Sequence, residues 1–114
     1  MPDIGLFEAI HTARSLRRLK PDPIPEALIT QVLDAAIRAP SAGNAQNWAF
    51  VVVRDAELRR GLGAIYRKAS DIAAAMYSAR GRPPHLTEAQ FQRMLTTGGH
   101  LWNHMGEAPV ILIP

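Results

Sequence analysis

Three arginines lie close together near the start of the chain, in the sequence ARSLRRLK. Arg14, Arg17 and Arg18 are spaced at i, i+3 and i+4, so a helix would place their guanidinium groups on one side, near the hydroxyl of Ser15. Such a group can hold a phosphate dianion through charge-assisted, partly bidentate hydrogen bonds. Cations near the C-terminal end of a helix also complement its dipole. On these residues alone, the dipole interpretation is favoured.

A second candidate site is the segment APSAGNAQNW at residues 39–48, which lies between a predicted helix and an apolar run. Gly43 and the small alanines would let the backbone approach a flat or polyhydroxylated ligand closely. The neutral hydrogen-bonding side chains of the segment are Ser41, Asn44, Gln46 and Asn47. Residues of these kinds also form ordinary turns, so composition alone supports a ligand loop and a simple turn about equally.

A metal site is the third possibility considered. His100 and His104 are four residues apart and Glu107 follows, a spacing that could place three ligands along one helix face. The chain has no cysteine and shows no fourth ligand or strong metal-binding motif. We therefore expect no metal and interpret these residues as a polar helix surface.

The elements that position these residues follow from apolar spacing and from helix-capping residues. Helices are predicted from Leu6 to about Arg18, from Pro25 up to the break at Pro40, after the N-cap Asp55, and after the capping box Thr87-Glu88-Ala89-Gln90. Gly98-Gly99 is expected to interrupt the last of these and leave a short helical piece, HLWNHMGE. Buried strands are predicted at Ala49–Val53 and Val110–Ile113, the first covered on both faces.

Two helices should bury broad apolar faces. The face predicted for the second helix consists of Leu28, Ile29, Val32, Leu33, Ala36 and Ile37. The stripe predicted for the helix after Asp55 consists of Leu58, Leu62, Ile65, Ala69, Ile72, Ala73 and Met76. These faces are where the core is expected.

Composition favours one globular domain over residues 1–114. The chain has 114 residues, of which 47% are hydrophobic and 20% charged, and the absence of cysteine fits the reducing cytoplasm. No apolar run approaches the length of a membrane-spanning helix, and no signal peptide is recognisable. The net charge of +3 comes with no dense block of lysine and arginine, so neither a nucleic-acid nor a membrane partner is expected.

The order of the motifs resembles the nitroreductase family of FMN-dependent oxidoreductases. In that family the N-terminal helix carries an R-S-x-R-x-F-like motif, followed by a proline-rich connector, a helix, and A-P-S-x-x-N-x-Q-P-W before a strand. The same spacing runs here from about Ile10 to Asp55, and EAPVILI at residues 107–113 resembles a later family strand. The resemblance implies an α+β fold, an α/β/α sandwich around a central mixed, mostly antiparallel sheet, here truncated at its C-terminus.

The resemblance also assigns cofactor-binding positions. The residues that fall on them are Arg14, Ser15, Arg17, Pro40, Ser41, Ala42, Asn44 and Gln46. The first three match positions that hold the FMN phosphate, the ribityl chain or the ring edge. Pro40, Ser41 and Ala42 match the segment that packs along the flavin. Asn44 matches a position that reaches the flavin of the partner subunit, which implies a homodimer with FMN at its interface.

Three positions depart from the family pattern. Ala13 stands where many members have a further arginine, which would weaken phosphate binding. Leu19 replaces the usual phenylalanine, and Asn47 replaces the proline before Trp48, which is expected to be a packing anchor rather than a ligand.

The implied activity is hydride transfer from NAD(P)H through FMN to a nitroaromatic, a quinone or a similar small-molecule acceptor, in the cytoplasm. The cofactor carries the redox chemistry, so no catalytic side chain is assigned. The alternative is a truncated, non-catalytic chain of the same family that acts at most as a dimerisation or binding module.

Overall fold

The computed structural model describes residues 4–114. Within that range the helices are α1 (Leu6–Thr12), α2 (Glu26–Ala36), α3 (Ala56–Arg80) and α4 (Glu88–His104), and the strands are β1 (Val51–Val53) and β2 (Ile111–Ile113). Short 3₁₀ turns cover Ala42–Asn44 and Met105–Glu107. Helices combined with an antiparallel sheet confirm the α+β class.

The two strands pair antiparallel, with Val51 opposite Ile113 and Val53 opposite Ile111. Val53 and Ile111 are buried, whereas Val51 is 59% exposed and Ile113 is also exposed. The prediction that the first strand is covered on both faces was therefore wrong. Because this sheet has only two strands in the described residues, its outer end has no neighbouring element to cover it.

Local capping bonds start the two long helices as predicted. The Asp55 carboxylate accepts a hydrogen bond from the backbone N–H of Leu58 at 2.8 Å. Thr87 and Gln90 form a complete capping box, in which each side chain accepts from the other residue's backbone N–H. These bonds join residues three apart, so they are readable from sequence.

The face that α3 buries is not the predicted stripe. Gly63 and Ser70 are the buried residues of this helix, while four large side chains of the predicted stripe are exposed: Leu58, Ile65, Ile72 and Met76. Gly63 lets the turn Met105–Glu107 approach the helix backbone closely. Ser70 can be buried because its hydroxyl donates to the carbonyl oxygen of Tyr66 at 2.8 Å.

Helix α4 runs through Gly98-Gly99 without a break, so the predicted interruption was wrong. Each glycine costs a helix about 1 kcal/mol relative to alanine. The capping box at Thr87 and the packing of α4 against α3 outweigh that cost. The helix ends at His104, where the 3₁₀ turn begins.

Helix α1 is shorter than predicted and ends at Thr12. Its apolar side chains Leu6, Phe7 and Ile10 are all exposed, so no packed face supports a longer helix. The Arg14 guanidinium donates to the carbonyl oxygens of His11 at 3.1 Å and Ala13 at 2.8 Å, at the point where the helix stops. The arginines are therefore not on a helix.

Helix α2 begins after Pro25 as predicted but buries only Ile29 of its apolar face. Val32 is 55% exposed, and Leu28 is exposed as well. An ion pair between Glu26 and Arg54 connects the start of this helix to the end of β1. The packed centre of the molecule instead lies among α3, α4, the turn after α4 and the strands.

The folded chain is open. Its radius of gyration is 17.0 Å, against about 13 Å for a compact domain of this length. Its accessible surface is 9255 Å², against about 6,200 Å² for a compact monomer of this mass. Large apolar side chains of α1, α2 and α3 are exposed, among them Phe7, Val32 and Ile65. None of the helices in residues 4–114 is both long and apolar enough to cross a membrane.

Candidate functional site

The arginine segment, residues 13–20, is an irregular connector after α1. Its three arginines do not converge, which corrects the helical expectation. Arg14 is exposed and bonded to the end of α1. Arg17 is half-buried and donates to the Ser15 carbonyl oxygen at 3.1 Å. Arg18 reaches α4, where its Nη1 lies 3.4 Å from Nδ1 of His100.

The ligand loop, residues 39–48, is held by its own side chains. The hydroxyl of Ser41 accepts from the backbone N–H of Gln46 at 3.0 Å, and the Gln46 side chain donates to the Asn44 side-chain oxygen at 3.0 Å. Gly43, Asn44 and Gln46 have positive φ angles of 59°, 53° and 49°. This conformation is easy for glycine, accessible to asparagine and strained for glutamine. The loop therefore has a specific conformation, fixed by side-chain hydrogen bonds and by three residues with positive φ, rather than that of an ordinary turn.

The rest of the loop is exposed. Pro40 and Ala42 lie on the surface. Trp48 is 44% exposed, and its ring pairs with that of Phe50 at a centroid distance of 6.2 Å. The surfaces of Pro40, Ala42 and Trp48 are therefore open to solvent.

Within residues 4–114, the arginine segment and the ligand loop are separate from each other. Among residues 4–114, no side-chain hydrogen bond connects the two. Arg17 lines two clefts beside α4, and neither includes a loop residue. The structure thus brings Ser41, Asn44 and Gln46 together and leaves Arg14, Ser15 and Arg17 apart from them.

The larger of these clefts, with a volume of about 390 Å³, lies between α3 and α4. Its lining consists of Arg17, Tyr66, Ala69, Ser70, Ala73, Tyr77, Met94, Leu95, Gly98 and Trp102. The sequence analysis missed this cleft because it treated Ala69 and Ala73 as core residues and gave Tyr66, Ser70 and Tyr77 no role. The usable signal was the helical spacing of Tyr66, Ser70, Ala73 and Tyr77, which places two aromatic rings on one face with small residues between them.

The second cleft, of about 210 Å³, contains the two histidines of α4. The rings of His100 and His104 stack at a centroid distance of 4.1 Å and an angle of 15°. His104 Nδ1 donates to the His100 carbonyl oxygen at 2.7 Å. Desolvation lowers the pKa of His100, Arg18 and His104 lower it further, and Glu107 opposes them. In the part of the chain that the structure describes, no three acidic, histidine or cysteine residues form a metal-binding group.

Electrostatically, the arginine segment is suited to an anion. The ion pairs found among residues 4–114 join Arg38 to Asp34, Arg54 to Glu26 and Arg82 to Glu88. Arg14 and Arg17 take no part in them, so their charge is not neutralised by a described carboxylate. Guanidinium and hydroxyl groups are donor types that bind phosphate, but the Arg14 and Arg17 guanidinium groups here bond to separate backbone carbonyls.

Comparison with known proteins gives several matches. A 62-residue match, 55% identical, covers 54% of this chain and 30% of "NADH dehydrogenase" of Thermus thermophilus. A 55-residue match, 45% identical, covers 48% of this chain and 29% of a Methanothermobacter thermautotrophicus protein provisionally named NADH dehydrogenase/NAD(P)H nitroreductase. "Iodotyrosine deiodinase" of Drosophila melanogaster is 29% identical over 109 residues, which are 95% of this chain and 36% of that protein.

The matched part spans about a third of the length of these relatives. No solved structure matches the chain. The model of the nitroreductase family matches residues 10–114, which includes both the arginine segment and the ligand loop. The chain therefore belongs to the nitroreductase family.

Proposed function

We propose that this protein is an FMN-dependent oxidoreductase that passes hydride from NAD(P)H through FMN to a nitroaromatic, a quinone or a similar small-molecule acceptor. The observation that carries the proposal is the family match over residues 10–114, which contains the residues of both candidate segments. The relatives named NADH dehydrogenase and NAD(P)H nitroreductase support a nicotinamide donor.

The donor set of this chain fits the chemical groups of FMN. Arg14 and Arg17 would hold the phosphate, and the Ser15 hydroxyl would bind the phosphate or the ribityl chain. Pro40 and Ala42 offer small surfaces for a ring to pack on, and the polar side chains of the ligand loop are Ser41, Asn44 and Gln46. When bound, FMN supplies the hydride-accepting ring, while the protein binds and orients it.

A homodimer with FMN at the subunit interface would bring the two halves of the site together. In a single copy, the clefts that Arg17 lines among residues 4–114 contain no residue of the ligand loop. The chain also exposes roughly 3,000 Å² more surface than a compact monomer of its mass, more than the 1,200–2,000 Å² that a stable interface typically buries. A second copy would therefore cover exposed apolar surface, and its Asn44 would reach the flavin bound to the first copy. The absence of cysteine fits a cytoplasmic protein.

Flavin retention tests the proposal. The purified protein is mixed with FMN, passed through a desalting column, and assayed for bound yellow flavin and for NAD(P)H-dependent reduction of a quinone. We expect retained flavin and turnover. Arg17→Gln should weaken FMN binding by about tenfold or more, the size of a lost charge-assisted phosphate contact. Arg38→Gln is the charge-matched control, because Arg38 pairs with Asp34 on α2.

The alternative is a non-catalytic family member that dimerises or binds a partner. It is favoured by one observation, the exposed apolar faces of α1, α2 and α3. A cooperatively melting dimer that retains no flavin and oxidises no NAD(P)H would overturn the enzyme proposal and support this module. Retained flavin with turnover would exclude it.

A further inference from the structure

The cleft between α3 and α4 is half-open and has the volume of a small-molecule site. Its volume of about 390 Å³ falls in the range of ligand pockets, about 300–1,000 Å³. Tyr66 and Tyr77 line it from α3, and Trp102 lines it from α4. Aromatic rings bind other flat rings by offset stacking or edge-to-face contact. The walls therefore favour a planar aromatic ligand.

Small residues leave the space between these rings open. Ala69 and Ala73 line the cleft from α3, and Gly98 lines it from α4. A Cβ at Gly98 would have Trp102 Cζ2 as its nearest neighbour, at 4.0 Å. The hydroxyl of Ser70 already donates to the Tyr66 carbonyl oxygen. Ala69, Ala73 and Gly98 therefore offer a ligand no polar side-chain group, and the Ser70 hydroxyl is already bonded.

The charge of the cleft also indicates which aromatic ligands it would bind. Arg17 is the charged residue among those that line the cleft. One of its N–H groups donates to the Ser15 carbonyl oxygen, and no carboxylate in residues 4–114 pairs with it. A guanidinium stays charged at all physiological pH values and binds a carboxylate through paired hydrogen bonds. An arginine beside an aromatic cleft complements a ring that carries an anionic group.

We infer that this cleft binds a small planar aromatic carboxylate, with its ring between Tyr66, Tyr77 and Trp102 and its carboxylate on Arg17. Binding requires one copy of the chain and no flavin, so this inference does not rest on the proposed function. Arg17 is shared with the proposed phosphate site. Excess FMN should therefore weaken the aromatic ligand if both proposals hold.

The test is ligand-observed ¹⁹F NMR on flavin-free protein, with 6-fluoro-2-naphthoate and its neutral amide as probes. We expect the carboxylate to bind about tenfold more tightly than the amide, the size of a charge-assisted hydrogen bond. Arg17→Gln should remove this preference and leave amide binding within about twofold. Arg60→Gln, an exposed arginine of α3 that does not line the cleft, should keep it.

A matched pair of substitutions tests the location. Gly98→Leu places a side chain in the cleft and should abolish binding of both probes. Gly99→Leu makes the same change at the next residue, where a Cβ meets nothing within 4 Å, and should leave binding unchanged. Circular dichroism checks that both variants fold. If Gly98→Leu does not fold, Ala69→Phe fills the same cleft, with the exposed Ala75→Phe as its control.

Loss of binding in Gly98→Leu together with loss of the anion preference in Arg17→Gln would support the inference. Absence of binding by the unsubstituted protein, equal affinity for the two probes, or unchanged binding in Gly98→Leu would overturn it. These experiments measure probe binding to flavin-free protein. A failure of the cleft inference is therefore distinct from a failure of the proposed FMN-dependent activity.

Discussion

Gly63 of α3 lies directly against Gly106 in the turn that follows α4. A Cβ at Gly63 would come within 2.8 Å of the Gly106 nitrogen and 2.9 Å of its Cα. Both neighbours are backbone atoms and cannot rotate away. The contact is therefore where the long helix and the segment leading to β2 fit together.

Gly63→Ala should destabilise the fold by about 1–3 kcal/mol, as overpacked sites do. The matched control is Gly61→Ala on the same helix, where a Cβ meets nothing within 4 Å. That change should stabilise the protein by up to about 1 kcal/mol through helix propensity. Urea unfolding followed by circular dichroism measures both. Equal effects of the two substitutions would contradict the close contact.

Arg59→Met should loosen the same junction. The Arg59 guanidinium donates to the carbonyl oxygen of the buried residue Ala108, just before β2. Methionine retains much of the side-chain stem but leaves that carbonyl without this donor, a loss of about 1–3 kcal/mol. Arg60→Met, at an exposed neighbouring position, should change the free energy of unfolding by less than about 0.5 kcal/mol. Comparable losses in the two variants would argue against this bond as a stabilising contact.

Thr87→Ala should cost about 1 kcal/mol, because it removes the hydroxyl that caps α4. The control is Thr96→Ala in the middle of the same helix, where the hydroxyl bonds back to the Gln92 carbonyl oxygen at 2.9 Å. Alanine is the better helix former there, so that variant should be neutral or slightly more stable. Thermal melting compares the pair. A neutral Thr87→Ala variant would show that the cap does not contribute to stability.

Gly43→Ala should strain the ligand loop, since Gly43 has a φ of 59°. An alanine in this left-handed region costs about 1–2 kcal/mol. A Cβ at Gly43 meets no atom within 4 Å, so the cost comes from the backbone alone. Gly43→Asn should cost less, because asparagine adopts this conformation more readily. Chemical unfolding measures the free energy of unfolding of both variants. A larger loss in Gly43→Asn than in Gly43→Ala would contradict backbone strain as the cause.

Stability should fall as the pH falls through the titration of His100. The pKa of its folded form lies below its ordinary value of about 6.5, through desolvation and then through Arg18 and His104, against Glu107. The unfolded chain therefore binds a proton more readily than the folded one below that pH. The contribution of His100 to folding stability is therefore complete above its ordinary pKa and is lost as the pH falls through its lowered pKa.

His100→Gln tests this dependence, because glutamine can still accept a hydrogen bond from Arg18 but does not titrate. The variant should lose less stability than the unsubstituted protein between pH 7.5 and pH 5.5. His85→Gln, in an exposed turn, serves as the control. Urea unfolding at each pH gives the slopes, and identical slopes for all three proteins would exclude His100 as the titrating group.

Several features could be predicted from the sequence because their causes are local. The Asp55 cap and the Thr87–Gln90 capping box join residues three apart, and the β-branched runs around Val52 and Leu112 favour strands wherever they lie. The order of motifs from the arginine segment through the ligand loop identified the nitroreductase family, which the family model confirms. The cofactor and the roles of the assigned residues stay predictions.

Other features depend on which surfaces meet, and only the tertiary structure decided them. The close approach of Gly63 and Gly106 selected the buried face of α3 and left Leu58 and Ile65 exposed. Packing against α3 supports α4 through Gly98-Gly99, whereas α1 lacks a packed face and ends before Arg14. Helix propensity is weaker than tertiary packing, so spacing alone could not predict these outcomes. The sequence by itself determined the helix starts, the strands and the family; the buried faces, the course of the arginine segment and the aromatic cleft were decided by contacts between distant residues.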